Sequence, residues 1–238
     1  MPYVFDVDRL TRLAVELREP FARAQPYPHA IIDDFLVTAR AQELARVFPG
    51  PDDPVAWDRF SIETVEMKLG SGREQAFPDP LRMAIHDLNS GPFIAVLEKL
   101  TGIEHLLPDP HLSGGGIHLS RPGDHLGIHA DFNWHPGLEL HRRLNLLIYL
   151  TPDWRPEYEG RLELWDTDGL RRVQSVEPLF NRAVLFATRS DTFHGHPTAW
   201  AAPQGIYRQS IALYYYTANR PDQEKRAAHS TLYKGHNA

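Results

Sequence analysis

Two residues with metal-binding side chains, His129 and Asp131, lie two positions apart in the segment DHLGIHADF. Residues i and i+2 of a β-strand project from the same face, so this imidazole and this carboxylate would converge on one point. A second imidazole is available in the later segment FHGHP, from His194 or from its rival His196. Two histidines and one carboxylate on one face of an iron ion leave positions open for other ligands. The alternative is a polar pair at a strand edge, because a chain with 13 histidines contains such triplets by chance.

An arginine, Arg208, follows the second histidine in the alternating segment YRQSIALYYY. Alternation places Arg208 and Ser210 on one face of a strand. A planar guanidinium binds a carboxylate through two parallel hydrogen bonds, and burying it without such a partner is costly. A structural salt bridge is the alternative for Arg208 alone. In the company of the two histidines and the aspartate, we favour a site for a carboxylate ligand.

The segment RLNLLIYLT places Asn145, Leu147 and Tyr149 on one face of a further strand. The phenolic hydroxyl of Tyr149 could donate a hydrogen bond to the carboxylate that Arg208 binds. A core position is an equally good interpretation of this tyrosine.

The elements that position these residues fall into two groups. The first 110 residues predict mainly helices, the first of them over apolar positions at helical spacing, with Asp8 as its start and Pro20 as its limit. A short strand is predicted within His29–Leu36, a second helix after Thr38, and two helical pieces over residues 80–100, separated near Ser90.

After Gly102 the hydrophobic pattern changes to short β-type runs separated by Pro, Gly, Asp and Asn. The runs are GGIHLSRP, DHLGIHADF, RLNLLIYLT, GRLELWD, RAVLFAT and RQSIALYYYT. Helices segregated from antiparallel strands indicate an α+β fold, and this many short strands favour a sandwich or barrel.

Composition excludes several classes of protein. The 238 residues suit one domain, the net charge of −6 is spread along the chain, and no basic block of the kind that binds nucleic acid is present. The absence of cysteine excludes disulfides, iron–sulfur clusters and thiolate zinc sites. The N-terminal segment does not resemble a signal peptide, and no apolar run is long enough to cross a membrane. We therefore expect a soluble, cytoplasmic protein with no membrane partner.

The segments HADFN, LNLLIYLTPDW, GRLELWD, TFHGHP and RQSIALYYY together resemble the prolyl 4-hydroxylase-like branch of the iron(II)/2-oxoglutarate oxygenases. The resemblance covers roughly residues 115–217 and, more weakly, the upstream segment PYPHAIIDDFL. It implies a double-stranded β-helix, a jelly-roll or cupin-like core, with the N-terminal helices packed on one sheet. One departure concerns the strand before the H-x-D triplet, where members of this branch often have a tyrosine and this chain offers only His118 and Ser120.

Carried over residue by residue, the resemblance implies iron bound by His129, Asp131 and His194. It places Arg208 and Ser210 at the 2-oxoglutarate cosubstrate, with Tyr149 beside them. Asn145, on the same face as Tyr149, is a further cosubstrate candidate. The implied cofactors are Fe(II), 2-oxoglutarate and O2, with succinate and CO2 as products. Related halogenases lack the carboxylate ligand that Asp131 provides, so hydroxylation of a C–H bond is favoured over halogenation.

The substrate is predicted to be a small polar molecule, of the kind found in sugar or natural-product tailoring, and Asn133, Trp134 and His196 are its candidate contacts. Hydroxylation of a peptide or protein residue such as proline is the alternative. A non-catalytic module that binds iron or 2-oxoglutarate is the second alternative. One oxygenase domain is expected over residues 1–238, with a helix-rich support (1–110), the β-helix core (111–218) and a C-terminal tail or weak helix (219–238). Sequence does not predict the oligomeric state.

Overall fold

The computed structural model describes residues 3–62 and 65–234, and the side chain of residue 62 is not described. Four α-helices belong to its N-terminal part: α1 (Val7–Arg23), α2 (Thr38–Val47), α3 (Asp79–Leu88) and α4 (Gly91–Thr101). The two pieces predicted over residues 80–100 are therefore confirmed, with their break at Asn89 and Ser90. None of these helices has the length and hydropathy of a membrane-spanning segment.

The limits predicted for α1 are wrong at both ends. The helix begins one residue before Asp8, because the side chain of Asp6 accepts a hydrogen bond from the backbone N–H of Arg9 at 2.8 Å and so caps the helix. It continues through Pro20 to Arg23. Proline in the last turn removes one backbone hydrogen bond, but the turn also buries Phe21 in the core. Thr38 likewise lies inside α2, where Val37 holds the cap position without a side-chain hydrogen bond.

Strands occur in both parts of the chain, and all of their pairings are antiparallel. In chain order they are β1 (His29–Ile32), β2 (Asp58–Ile62), β3 (Glu66–Ser71), β4 (Leu107–Pro108), β5 (Gly116–Ser120), β6 (His125–Ala130), β7 (Trp134–His135), β8 (Leu140–Tyr149), β9 (Leu162–Trp165), β10 (Arg172–Val176), β11 (Ala183–Ala187), β12 (His194–His196), β13 (Arg208–Thr217) and β14 (Leu232–Tyr233). Short 3₁₀ helices lie at Glu74–Ala76, Pro156–Tyr158 and Asp222–Glu224.

One continuous sheet runs in the order β1-β11-β8-β13-β5-β3-β6-β12-β9-β10. The sheet curls around one central cavity, which is lined by residues from β3, β5, β6, β8, β9, β12 and β13. The structure is the predicted α+β fold, a jelly-roll or double-stranded β-helix. The N-terminal segment contributes more than helices, since β1 pairs with β11 and β3 pairs with both β5 and β6.

The two faces of β8 have different surroundings. Leu144, Leu146 and Ile148 point outward and belong to the large apolar core that includes the helices. Asn145 and Leu147 alternate with them and line the central cavity. Packing of the helices against this outer face gives β8 and β13 a fixed position from which their inner side chains reach the cavity.

The predicted tail folds back onto the sheet. Its described part contains the 3₁₀ helix Asp222–Glu224 and then β14, which pairs with β6. Residues 227–234, called the C-terminal strap below, therefore lie beside the strand that carries His129.

Candidate active site

Three buried side chains with metal-binding atoms meet at one end of the central cavity. His194 on β12 is the direct cross-strand partner of His129 on β6, and the centroids of their rings are 4.4 Å apart. Asp131 lies one residue beyond β6, with carboxylate oxygens 3.5 Å from the Nε2 atoms of both histidines. One ligand atom from each residue lies within 4.8 Å of the others. Over residues 3–62 and 65–234, no other cluster of His, Cys, Asp or Glu has this arrangement.

Backbone carbonyl groups orient the two imidazoles. Nδ1 of His129 lies 2.8 Å from the carbonyl oxygen of Gly127, and Nδ1 of His194 lies 3.0 Å from that of Thr192. A carbonyl can only accept, so each Nδ1 carries the proton and each Nε2 offers a lone pair to the centre of the cluster. Burial and the neighbouring His129 lower the pKa of His194 to about 4, so its imidazole is neutral.

Asp131 is held as a carboxylate by two donors that approach the same oxygen. Arg142 donates to its Oδ2 atom at 2.8 Å and the amide of Asn145 at 3.1 Å. Burial by itself would raise the pKa of Asp131, but Arg142 and the two histidines lower it well below its usual value. Asn145, predicted beside the cosubstrate, lines the cavity and also supports this metal-binding carboxylate.

Arg142 was not among the predicted site residues, and a β-bulge explains why. Tyr215 pairs with Leu144 whereas Tyr216 pairs with Arg142, so Arg143 is an extra residue in β8. The bulge shifts the alternation by one and turns Arg142 inward. Its guanidinium is fully buried, with its carbon 3.5 Å from the ring centre of Tyr214.

The other end of the cavity contains Arg208, which is buried and has few partners. Its Nε atom donates to the carbonyl of Gly160 at 2.9 Å, and its guanidinium carbon lies 4.9 Å from the ring centre of Tyr149. Among the described residues no carboxylate lies within ion-pair distance of it. Burial lowers the pKa of Arg208, although an arginine remains cationic in proteins. A buried cation in this state requires an anionic partner.

The cavity has a volume of about 60 Å³, and Ser210 lines it beside Arg208. The ring of Tyr149 packs against the guanidinium of Arg208. The hydroxyl of Tyr149 is buried and has no hydrogen-bond partner in the described structure. His118 and Ser120, which replace the tyrosine expected from the resemblance, both line the cavity. The Arg208 end therefore offers a guanidinium and hydroxyl groups to an anionic ligand.

The sequence analysis also missed Lys68, a cavity-lining residue on β3. Its side chain is 13% exposed and its ammonium group lies 3.0 Å from the carboxylate of Glu66. No strand was predicted between the second helix and residue 80, so this lysine was not expected in the cavity wall.

The three predicted substrate contacts lie in different places. His196 is buried in the cavity wall; its Nδ1 atom has no partner in the described structure, and burial together with Arg208 lowers its pKa well below the usual value. Asn133 instead binds the C-terminal strap, donating to the carbonyl of Ala227 at 2.8 Å and accepting from the N–H of His229 at 3.0 Å. Trp134 lines a separate groove of about 590 Å³ between β7 and the strap.

A match to a known protein family includes the residues of this site. The sequence model of the 2OG-Fe(II) oxygenase superfamily matches residues 115–216, which contain all three residues of the metal cluster and Arg208. This segment belongs to the 2OG-Fe(II) oxygenase superfamily. The matched segment therefore carries an Fe(II)- and 2-oxoglutarate-dependent oxygenase, and the cofactors that go with it are Fe(II), 2-oxoglutarate and O2.

Solved structures share the fold of this oxygenase at low sequence identity. A prolyl hydroxylase from Trichoplax adhaerens, solved with a peptide of hypoxia inducible factor, is 19% identical with a TM-score of 0.63 over 88% of this chain and 91% of its own. A prolyl-4-hydroxylase from Pseudomonas putida is 16% identical with a TM-score of 0.58 over 86% and 99%. The epimerase SnoN of nogalamycin biosynthesis is 15% identical with a TM-score of 0.53 over 90% and 85%. A search of curated proteins gives no significant match.

Proposed function

We propose that this oxygenase hydroxylates a C–H bond of a small polar molecule, acting as one domain with Fe(II) bound by His129, Asp131 and His194. In this proposal Arg208 and Ser210 hold the remote carboxylate of 2-oxoglutarate, with the hydroxyl of Tyr149 as a further donor. The observation that carries the proposal is the buried guanidinium of Arg208, which has no carboxylate partner among residues 3–62 and 65–234 and lies in the same cavity as the two histidines and the aspartate.

The donor set fits the cofactors. Two neutral imidazoles and a carboxylate are the ligands of non-haem Fe(II) oxygenases, and they leave positions open. When bound, Fe(II) with 2-oxoglutarate and O2 supplies the oxidation of a C–H bond, which yields the alcohol, succinate and CO2. The retained carboxylate of Asp131 favours hydroxylation over halogenation.

The chain's own residues prepare this chemistry. Arg142 and Asn145 keep Asp131 ionised and fixed, and the carbonyls of Gly127 and Thr192 keep both Nε2 atoms free to bind metal. His118 and His196 have pKa values lowered well below the usual range, chiefly by burial, so the cavity wall presents neutral imidazoles. Such groups can hydrogen-bond a polar substrate without adding charge beside the metal.

A second cleft that shares His118 with the cavity supports a small, polar substrate. A cleft of about 260 Å³ lies between the β2–β3 hairpin and the loop before β5, and polar residues including Asp58, Arg73 and His111 line it. His118 lines this outer cleft and the inner cavity as well, so it separates the two. The strap occupies the edge of β6 beside His129, where an extended peptide could otherwise add as a strand.

Hydroxylation of a peptide residue is the second candidate. Four structures with the same fold are prolyl hydroxylases, one of them in complex with a peptide. In this chain the largely apolar groove lined by Phe132, Trp134 and Pro136 would be the corresponding contact surface.

The deciding experiment incubates Fe(II)-loaded protein with 2-oxoglutarate and O2 in two arms, one with a metabolite pool and one with proline-containing peptides. Succinate together with a hydroxylated metabolite supports the proposal, whereas succinate with a hydroxylated peptide supports the second candidate. Iron bound without succinate in either arm would indicate a non-catalytic binding module. The variant D131N, tested in parallel, shows how much succinate comes from free iron.

A further inference from the structure

The C-terminal strap supplies a strand partner for the metal-bearing end of β6. Leu232 pairs with Ala130 and Tyr233 with His129, and the N–H of Lys234 donates to the carbonyl of Ile128 at 2.8 Å. His129 also pairs with His194, so β14 must lie on the side of β6 opposite β12. On that side β3 pairs with β6 at His125 and Leu126, and β14 continues the pairing from there to the metal-binding residues.

Contacts on both sides of β6 hold the strap in place. Asn133 binds Ala227 and His229 through its amide, as described above. The ring of His229 lies 2.7 Å from the hydroxyl of Ser190, in the loop that leads into β12. Lys234 donates to the carbonyl of Asp168 and places its ammonium group 4.3 Å from the ring centre of Phe193. The strap therefore contacts the segment that follows β6 and the loop that precedes β12, the two strands that carry His129 and His194.

Tyr233 is the strap residue that reaches the active site. Its ring centre is 5.4 Å from that of His129, and its hydroxyl donates to the buried carboxylate of Glu66 at 2.6 Å. The same Glu66 pairs with Lys68, which lines the cavity. One side chain thus contacts the imidazole of a metal-binding residue and, through Glu66, fixes a cation in the cavity wall.

We propose that Tyr233 is a positioning residue of the oxygenase and that the strap completes its metal centre. The ring of Tyr233 limits rotation of the His129 imidazole on the face that β12 leaves open. Its hydroxyl holds Glu66, and thereby Lys68, at the cavity. This inference rests on the proposed function, because it assigns the strap to the same metal site.

The test uses Co(II) as a spectroscopic probe of the metal site, without turnover. Y233L keeps the backbone pairing and the apolar bulk but removes the ring contact. We expect it to bind Co(II) about tenfold more weakly, the effect typical of residues that support metal ligands, and to alter the Co(II) absorption spectrum. Y233F retains the ring and is expected to restore Co(II) affinity and spectrum. The matched control is Y3L, which removes a half-exposed ring stacked on Phe5 in another part of the chain.

The hydroxyl is tested separately by 2-oxoglutarate binding to the Co(II)-loaded proteins. Y233F deprives Glu66 of a donor, so Lys68 is less firmly held, and we expect 2-oxoglutarate to bind a few-fold more weakly. Unchanged binding in Y233F would refute the link through Glu66. Thermal unfolding of the metal-free proteins supplies the remaining control. A Y233L protein that unfolds earlier but binds Co(II) with wild-type affinity and spectrum has lost only stability, which would overturn the proposal.

Failure of the strap proposal is distinguishable from failure of the proposed function. Wild-type protein that binds no Co(II) would refute the metal site and the strap's role together. Wild-type protein that binds Co(II), with Y233L indistinguishable from it, would refute the strap's role alone.

Discussion

The two ends of the central cavity differ in how their ligand-facing groups are held. At the metal end, each imidazole has a carbonyl partner on Nδ1, and Asp131 accepts from two donors. At the other end, Arg208 has one backbone partner, and the hydroxyl of Tyr149 has none in the described structure. A buried guanidinium without a carboxylate partner is costly, and an anionic ligand at this end would stabilise it. The chain itself orients the ligands at the metal end, whereas the Arg208 end depends on a bound anion to complete its hydrogen bonds.

The largest effect is expected from D131N, which keeps the size of the side chain but removes the charge that the metal needs. We expect Mn(II) affinity, measured by calorimetry, to fall more than about 100-fold, beyond the effect of losing a supporting residue. D191N, which alters an aspartate paired with Arg189 before β12, is the control and should bind normally. If D131N bound Mn(II) as tightly as wild type, the metal end would be wrongly assigned.

R208A should affect the opposite end alone. Hydrogen bonds to charged groups contribute ~1.5–3 kcal/mol, so 2-oxoglutarate affinity of the Mn(II)-loaded protein should fall roughly 10- to 100-fold while Mn(II) affinity is unchanged. R171A removes an exposed arginine and serves as the control. Loss of metal binding in R208A would show that the two ends do not act independently.

G195A should weaken metal binding by displacing the backbone of β12. A Cβ atom at residue 195 would stand 2.6 Å from the carbonyl oxygen of Gly127 and 2.7 Å from that of Leu126, so β12 would have to move away from β6. We expect a loss of ~1–3 kcal/mol in stability and roughly tenfold weaker Mn(II) binding, since His194 and His129 would separate. G91A has open space around the new methyl group and should change neither property. Normal Mn(II) affinity in G195A would mean that strand spacing does not set the ligand geometry.

The smallest effect is expected from Y149F. This change removes a hydroxyl without a partner, so stability should hold or rise slightly, while 2-oxoglutarate binding weakens a few-fold if that hydroxyl meets the carboxylate. Y215F provides the contrast, because its hydroxyl donates to the carbonyl of Leu88 at 3.0 Å. It should lose stability and keep its 2-oxoglutarate affinity. Unaltered 2-oxoglutarate binding in Y149F would show that the hydroxyl of Tyr149 does not contact the cosubstrate.

Local patterns in the sequence predicted much of this architecture. Alternation around His129 and Arg208 correctly indicated which side chains share a face, and the helical pieces of residues 80–100 were found from spacing. The choice of His194 over His196 came from the resemblance. The geometry distinguishes the two histidines. His194 lies opposite His129 with its Nε2 atom near Asp131, whereas His196 lies opposite Leu126 in another part of the cavity wall.

Other parts of the site depend on non-local contacts that no local pattern contains. Arg142 turns inward because of a bulge whose existence is set by pairing with β13. Lys68 reaches the cavity only because β3 joins the sheet between β5 and β6. The strand in the strap could not be predicted, because a two-residue strand has no hydrophobic period and forms only through pairing with its partner. Asn133, expected at a substrate, shows the same effect, since its partners lie in that strap.

The opposed faces of β8 separate the residues that maintain the fold from those that do chemistry. Leucine and isoleucine on the outer face belong to the helical core, while their neighbours Asn145 and Leu147 on the inner face line the cavity. Sequence divergence can then proceed on one side of a strand without eroding the other. Hydroxylases and an epimerase share this fold at under one-fifth identity, a range of activities that such independence permits.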